Sequence, residues 1–294
     1  MKKIAILLSL IVSVYTQTAT EPNGDGTSND PFIISNINEL YWVSQNSDSW
    51  NKDLKQTANI NASETKIWND GQGFTPIGNN NNYFSGKYDG GGFKIDSLHI
   101  NATDSYKGLF GYLYQADLDS IGLTNVNIYG FHYIGALAGY ARTKSTITNC
   151  YSTGKIQGYW GVGGLVGILD FEEKVEYCYS TVDVIGTVRA GGLVGGNSTR
   201  SRISYSYSRG NVTGSDNTFG NTSNNVFNDQ IGGLVGMNFN NGMITDCYST
   251  GEVKGTSNVG GLVGKTAYGS WASQSFWDYE LSKIDSSKGG TKKS

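Results

Sequence analysis

The 294-residue sequence is poor in the residues that mark several other classes of protein. It has 3 cysteines, too few for a disulfide framework, and 3 prolines, too few for a collagen or a Pro-rich linker. Charged residues make up 16% of the chain, against roughly 25% in a usual soluble domain. The 22 basic and 25 acidic side chains leave a net charge of −3 without a basic cluster, so we expect no nucleic-acid partner.

Long apolar segments are missing as well. The uncharged run near the start, Ile4 to Val14, has eleven residues, whereas a helix needs about 20 apolar residues to span a bilayer. We therefore expect no membrane span. Because Lys2 and Lys3 precede the run and small polar residues follow it, the pattern is typical of a signal peptide. We predict a signal peptide over residues 1–19 and a mature protein that is secreted, extracellular or held at the cell surface.

Glycine is abundant, and much of it belongs to a repeat. The run GGLVG occurs four times, two weaker copies precede it, and the six copies close at Gly111, Gly139, Gly167, Gly195, Gly236 and Gly264. Four of the five intervals are equal, which gives a 28-residue period, and the interval from Gly195 to Gly236 is longer. The surplus falls in an Asn-rich stretch, which predicts a surface loop inserted over residues 215–228.

Each repeat contains three short stretches rich in β-branched and aromatic residues, separated by Gly, Asn and Ser. One such coil cannot bury its few apolar side chains, but coils stacked about 4.8 Å apart pair every strand with the next. We therefore predict an all-β fold, a parallel β-helix (β-solenoid) of about six 28-residue coils over residues 106–283. A column of leucines should form its core: Leu109, Leu137, Leu165, Leu193, Leu234 and Leu262.

The two ends of the chain lack this period. We expect residues 20–105 to form an N-terminal capping region, since an open solenoid end exposes strand edges that invite aggregation. Within it, NINELYWVSQ predicts a short helix with Leu40, Val43 and Trp42 on one face. Residues 284–294 are polar, and we expect a loose tail there.

The repeats resemble the GLUG motif family. The resemblance rests on GGLVG followed by NCYSTGKIQG, YCYSTVDVIG and DCYSTGEVKG. Members of this family are secreted and surface proteins of bacteria, including adhesins and repeat regions of immunoglobulin-A-specific proteases. The resemblance implies a secreted or surface repeat protein, but it implies no activity, because the family is defined by its architecture.

Catalytic and metal-binding patterns are not found, and we expect no catalytic residues, metal site or cofactor. The two histidines, His99 and His132, lie in different units of the chain, whereas HExxH places two histidines four apart. A cluster of acids invites comparison with the paired carboxyls of glycosidases. These acids follow a GLVG strand where other units have polar turn residues, so we expect a solvated loop: Asp170, Glu172, Glu173 and Glu176. We find no column that repeats an acid or sets Lys or Arg beside one.

The three cysteines share one column of the repeat, in which Ser206 takes the place of a fourth. Stacked coils would bring Cys150 and Cys178 close together, but with parallel side chains that do not face one another. We therefore expect buried free thiols at Cys150, Cys178 and Cys247.

An aromatic column follows the cysteines and is the candidate ligand-binding site: Tyr151, Tyr179, Tyr207, Tyr248 and Phe276. Ring faces repeated along a flat surface can stack on sugars or on an aromatic partner. The structural alternative is that the rings stack on one another and cover apolar surface. The next residues, such as Ser152 and Ser180, suggest a hydroxyl face like that of ice-binding solenoids, although Val182 and Arg209 interrupt it.

These patterns favour a secreted or cell-surface, non-enzymatic binding or adhesion module with a glycan or an extracellular protein as its partner. One alternative is a noncatalytic repeat region of a larger secreted enzyme such as a protease. Another is a polysaccharide-degrading β-helix enzyme.

Overall fold

The computed structural model describes residues 17–215 and 229–294. The predicted signal peptide, residues 1–19, and the predicted insertion, residues 215–228, lie almost wholly outside the described residues. The described chain is a β-solenoid of about six turns with few helices, which confirms the predicted fold class.

Three parallel sheets run along the solenoid. Sheet 1 has nine strands: β1 (Phe32–Ile34), β2 (Asp53–Gln56), β4 (Lys87–Asp89), β8 (Asp117–Asp119), β12 (Thr146–Thr148), β15 (Lys174–Glu176), β18 (Arg202–Ser204), β23 (Met243–Thr245) and β28 (Trp271–Ser273). Sheet 3 has six strands: β7 (Phe110–Tyr114), β11 (Ala138–Arg142), β14 (Val166–Asp170), β17 (Val194–Asn197), β22 (Val235–Asn238) and β27 (Val263–Thr266).

Sheet 2 is the largest sheet and contains the strands that begin with the aromatic column. Its 15 strands are β3 (Ile60–Asn61), β5 (Lys94–Asp96), β6 (His99–Asn101), β9 (Gly122–Tyr129), β10 (His132–Ile134), β13 (Tyr151–Gly163), β16 (Tyr179–Gly191), β19 (Tyr207–Ser208), β20 (Val212–Gly214), β21 (Ile231–Gly232), β24 (Tyr248–Ser249), β25 (Val253–Lys254), β26 (Val259–Gly260), β29 (Phe276–Asp278) and β30 (Thr291–Lys293).

The strand register repeats the period of the sequence. Tyr151 pairs with Tyr179, and Val166 pairs with Val194, so each residue lies beside the same position of the next repeat. Val194 in turn pairs with Val235, which is the same position beyond the predicted insertion. The ladder therefore continues in register on both sides of that insertion.

The leucine column lies inside the coils, as predicted. All six side chains have no exposed surface: Leu109, Leu137, Leu165, Leu193, Leu234 and Leu262. The glycines before each leucine are required by close packing. A Cβ at Gly163 would collide with the Val166 carbonyl oxygen, and a Cβ at Gly164 would collide with the Ser180 hydroxyl.

A column of small side chains lies at one corner of the coils. Each of these side chains forms hydrogen bonds with backbone groups of its own coil and of the preceding coil. The Cys178 thiol donates to the Glu176 carbonyl (3.2 Å) and accepts from the Cys150 amide (3.4 Å). The Ser206 hydroxyl donates to the Ser204 carbonyl (2.7 Å) and accepts from the Cys178 amide (3.1 Å). Cys and Ser can therefore replace each other in this column, because both side chains can donate and accept a hydrogen bond. All three cysteines are free and buried, as predicted: Cys150, Cys178 and Cys247.

The N-terminal region contains the predicted short helix, α1 (Ile37–Gln45). The Asn36 side chain caps it by accepting from the amides of Asn38 and Glu39, and Leu40 and Val43 are fully buried. Three short 3-10 helices follow at Ser47–Ser49, Ser63–Ile67 and Asn69–Gly71. Strands β1 to β6 of this region join sheets 1 and 2, so residues 20–105 extend the ladder as irregular coils.

The C-terminal residues are more ordered than expected. A one-turn helix, α2 (Tyr279–Ser282), follows the last coil. The tail then adds β30 to sheet 2, where Thr291 pairs with Phe276. The expectation of a loose tail was wrong, because strand pairing uses backbone groups and does not need the apolar side chains that the tail lacks.

Candidate functional site

The predicted aromatic column is a continuous stack on the outer face of sheet 2. Each ring belongs to the first residue of its strand and points outward, because the residues before and after it point inward. Successive ring centroids are 5.0, 4.9, 4.8 and 5.6 Å apart, and the planes differ by 7° at most. Every ring of the column is half-buried: Tyr151, Tyr179, Tyr207, Tyr248 and Phe276.

Cations lie over the C-terminal half of this tyrosine column. The Arg209 guanidinium lies 5.0 Å from the Tyr207 ring and donates to the Tyr248 hydroxyl (3.0 Å). The Lys293 ammonium lies 4.4 Å from the Phe276 ring. The rings therefore stack on one another, as the structural alternative predicts. Because each ring is only half-buried, part of it also remains accessible to a ligand.

A second, shorter stack was missed by the sequence analysis. Tyr177 and Tyr205 are 58% and 53% exposed, and their rings stack at 5.1 Å with planes 8° apart. Both residues have left-handed backbone conformations at the corner before the tyrosine column. The spacing of one repeat between the two tyrosines could have predicted this stack. The column is not aromatic throughout, however, because other coils have Asn149, Asp246 and Gln274 at the same position.

The predicted hydroxyl face does not exist at the serines. Ser152 and Ser180 are fully buried, and Ser249 is 1% exposed. The Ser152 hydroxyl donates to the Gly164 carbonyl at 2.8 Å. Strand alternation turns these serines inward, so their hydroxyls join strands across the coil and cannot meet ice or a ligand.

A groove of about 390 Å³ lies on the outer face of sheet 2, beyond the bend at Gly154. Asp183 accepts from the Asn211 side-chain amide (3.1 Å), and Glu252 pairs with Lys254 (2.9 Å). Lys155 lies directly beside Asp183 in the strand register. The expectation that no Lys or Arg lies beside an acid was therefore wrong, because Lys155 and Asp183 are one repeat apart and the strand register places the same position of successive repeats side by side.

The four acids of the predicted cluster have different surroundings in the structure. Asp170 accepts from the hydroxyls of Tyr140 (2.9 Å) and Thr199 (2.7 Å). Glu172 pairs with Arg200 (2.6 Å). The predicted solvated loop is wrong for Glu173, which is 1% exposed and has no hydrogen-bond partner at either carboxyl oxygen among the described residues. Burial raises the pKa of Glu173 to about 9.

A second aromatic surface, the Arg189 cluster, lies where sheet 2 turns into sheet 3. It consists of Tyr106, Tyr112, Tyr133, Tyr140, Trp160, Arg189 and Phe239, all half-buried. The Arg189 guanidinium lies 4.4 Å from the Trp160 ring and 4.7 Å from the Phe239 ring. The sequence pattern does not reveal this cluster, because its members come from different elements and meet only where the coil turns from one sheet to the other.

The described residues contain no group of three or more His, Cys, Asp or Glu side chains arranged to hold a metal ion. His99 and His132 are both half-buried, and burial lowers the pKa of each. Over residues 17–215 and 229–294, no helix has the length and apolar character needed to cross a membrane.

Three segments of the chain match the GLUG motif, at residues 132–157, 158–185 and 228–254. Halomucin of Haloquadratum walsbyi is 30% identical over 142 residues, which cover 45% of this chain and 2% of that protein. A proposed Gly-rich membrane protein of Evansella cellulosilytica is 34% identical over 92 residues, which cover 31% of this chain and 10% of that protein. The chain thus spans a small part of both relatives.

A solved structure shares the fold over most of the chain. It is a proposed immunoglobulin A1 protease from Bacteroides ovatus, with a TM-score of 0.68 and 19% sequence identity, and the match covers 92% of this chain and 84% of that one. Identity this low shows the fold alone. The motif matches confirm the resemblance predicted from the sequence, and this β-solenoid carries GLUG repeats.

Proposed function

We propose that this chain is a secreted or cell-surface binding module without enzymatic activity, and that its ligand lies along the stacked coils over the tyrosine column. The observation that carries the proposal is the unbroken stack from Tyr151 to Phe276, with ring centroids 4.8 to 5.6 Å apart on an outer sheet face. Half-exposed rings at a constant spacing offer the same contact at every coil. An extended polymer can use such repeated contacts.

The surroundings of the column favour a glycan over an extracellular protein as the ligand. The groove on the same sheet face is lined by hydrogen-bonding side chains, including Lys155, Gln157 and Asn211. Arg209, over the Tyr207 ring, adds donors beside the column. Rings with nearby polar groups suit sugars, which present apolar C–H faces and hydroxyl edges.

Alanine substitutions in the column test the proposal in a binding screen over glycans and matrix proteins. Because contact is spread over several coils, Tyr179→Ala should weaken binding by about 1 kcal/mol. Replacing Tyr151, Tyr179 and Tyr207 together should weaken it much more. Tyr268→Ala is the matched control, since Tyr268 is 74% exposed and outside the column. Full affinity in a triple variant with an unchanged circular dichroism spectrum would show that the column is structural only.

A second candidate function is a noncatalytic repeat region of a larger secreted enzyme. It is favoured by the solved structure that bears the name of a proposed protease and matches 92% of this chain. We expect the purified chain to leave immunoglobulin A1 uncut. We also expect it to release no new reducing ends from acidic or neutral glycans, and either product would show that the chain is an enzyme.

A further inference from the structure

Arg189 is an unusual cation in this molecule. Its guanidinium lies between two aromatic rings, those of Trp160 and Phe239. Its buried Nε has no hydrogen-bond partner, and no described residue forms an ion pair with its side chain within 4 Å. Burial lowers the pKa of Arg189, so the charge is held in a poorly solvated position. Contacts with the two rings hold the guanidinium in place, and its Nε donor has no acceptor among the described residues.

Arg189 shares its corner of the coil with a tyrosine and a glycine of the two preceding coils. Tyr133, Gly161 and Arg189 follow one another at the spacing of the repeat and occupy one corner column, all with left-handed backbone conformations. Gly161, between Tyr133 and Arg189 in this column, has no side chain, and the Ile168 side chain fills the space beside it, since a Cβ at Gly161 would lie 3.0 Å from Ile168 Cγ1. A Cβ at Gly161 would lie 3.6 Å from the Tyr133 ring. The Trp160 ring meets the Tyr133 ring at 5.0 Å in an edge-to-face contact.

Further tyrosines extend this surface across two coils. Tyr106 stacks on Tyr133 at 4.8 Å, and Tyr112 stacks on Tyr140 at 5.0 Å. All four rings are half-buried, so each keeps part of its surface in contact with solvent. The cluster therefore joins an oriented cation to rings and phenol hydroxyls.

We infer that the Arg189 cluster binds an acidic polysaccharide by a carboxylate that its sugar ring carries. A planar guanidinium binds a carboxylate through two parallel hydrogen bonds, and this geometry is lost when the acid is esterified. The rings of Tyr133 and its neighbours would contact the apolar face of the sugar. The ring surface beside the cation favours a sugar acid over an acidic peptide, which would use the guanidinium alone.

The net charge of the chain bears on which acidic polymers it can bind. At −3 overall, the protein repels polyanions in general, so retention of an acidic polymer requires a local site. The site is also separate from the tyrosine column, because Arg189 and Tyr179 lie near opposite ends of β16. The inference therefore does not depend on the proposed function of that column.

The test compares polymers by biolayer interferometry at fixed ionic strength. Polygalacturonate and hyaluronan carry ring carboxylates, and fully methyl-esterified polygalacturonate has the same ring without the charge. Dextran sulfate and poly-L-glutamate carry charge without a uronate. We expect both uronate polymers to bind, and the ester, dextran sulfate and poly-L-glutamate to bind at least about tenfold more weakly.

Variants of the protein locate the site. Arg189→Met keeps the apolar stem and should lower uronate affinity about tenfold or more. Arg202→Met is the matched control, because Arg202 is exposed on sheet 1 beside Met243 and its loss changes net charge equally. It should leave uronate affinity unchanged. Arg189→Lys keeps the charge but cannot form two parallel hydrogen bonds with a carboxylate, so its uronate affinity should be as low as that of Arg189→Met.

Several results would overturn the inference: no binding of either uronate polymer, equal binding of the ester or of poly-L-glutamate, or equal losses in Arg189→Met and Arg202→Met. If Arg189→Met fails to fold, NMR of the wild-type chain decides instead. Monomeric galacturonate should then shift the Arg189 Nε–H signal, and an unchanged signal at saturating galacturonate would overturn the assignment of the site.

Discussion

Glu173 takes a place that serines hold in neighbouring coils. Ser145 and Ser201 are the same residue of the repeat one coil before and one coil after it, and both are buried. The Ser201 hydroxyl accepts from the Glu173 amide at 3.1 Å, as the Ser270 hydroxyl accepts from the Gly242 amide at 2.9 Å. Burial disfavours the charged form of the Glu173 carboxyl, and no described Lys or Arg forms an ion pair with it, so it resists ionisation.

The raised pKa of Glu173 makes stability depend on pH. In the unfolded chain this carboxyl ionises near 4.5, whereas in the folded chain it keeps its proton up to a pKa of about 9. Between these values the folded state binds more protons, so stability falls as pH rises, by at most about 1.4 kcal/mol per pH unit. Glu173→Gln cannot ionise, so the variant should gain stability over wild type as pH rises through this window.

Urea unfolding at several pH values measures this difference. Glu176→Gln is the matched control, because Glu176 is half-buried in the same coil and accepts from the Ser204 hydroxyl (3.0 Å). Parallel pH profiles for wild type and Glu173→Gln would contradict a buried carboxyl. Glu173→Ser, which restores the column, should also flatten the profile.

Cys178 gives a second prediction at the scale of one residue. Because Ser206 makes the same two backbone bonds, Cys178→Ser should change the free energy of unfolding by less than about 1 kcal/mol. Cys178→Ala leaves the buried Cys150 amide without its acceptor and should cost about 1 to 3 kcal/mol. Denaturant unfolding of the two variants compares them, and equal losses would mean that the thiol only fills space.

At the scale of strands, the period of the sequence predicted the leucine and tyrosine columns, whereas several contacts outside that period were missed. The leucine column and the tyrosine column recur at a fixed spacing. Strand alternation turns the tyrosines outward, whereas the leucines lie at the corner just before the strands of sheet 3 and are fully buried there. Pairing of β30 with β29 depends on backbone bonds that no side-chain pattern reveals. Arg189 was missed for a different reason, since Phe239 reaches it from another sheet and from a later coil.

Leu193 tests the assignment of the core. Leu193→Asp places an unpaired carboxylate inside the coil, where Leu193 has no exposed surface, so the array should unfold or lose several kcal/mol. Ile185→Asp is the matched control, because Ile185 is on the outer face of the preceding strand and is 37% exposed. Its loss should stay within about 1 kcal/mol. Similar melting temperatures for the two variants would contradict the inward direction of the leucines.

For the whole molecule, each coil contacts its neighbours, so stability should depend on an unbroken register. Two coils meet across the predicted insertion without a shift. Gly186 pairs with Gly214 on one side of it, and Ala190 pairs with Ile231 on the other. Three residues join Gly186 to Ala190, whereas sixteen join Gly214 to Ile231.

Deleting residues 216–228 should therefore leave the fold intact. The deletion removes the surplus length and leaves Ser215, Asp229 and Gln230, a connection as long as the one between Gly186 and Ala190. It keeps the bond from the Thr256 amide to the Asp229 carboxylate (3.3 Å). A shorter connection also lowers the entropy lost on closing the loop, so the melting temperature should change little or rise. Calorimetry of the deletion beside Leu193→Asp makes the comparison. A deletion as damaging as the buried charge would show that these residues belong to the folded array.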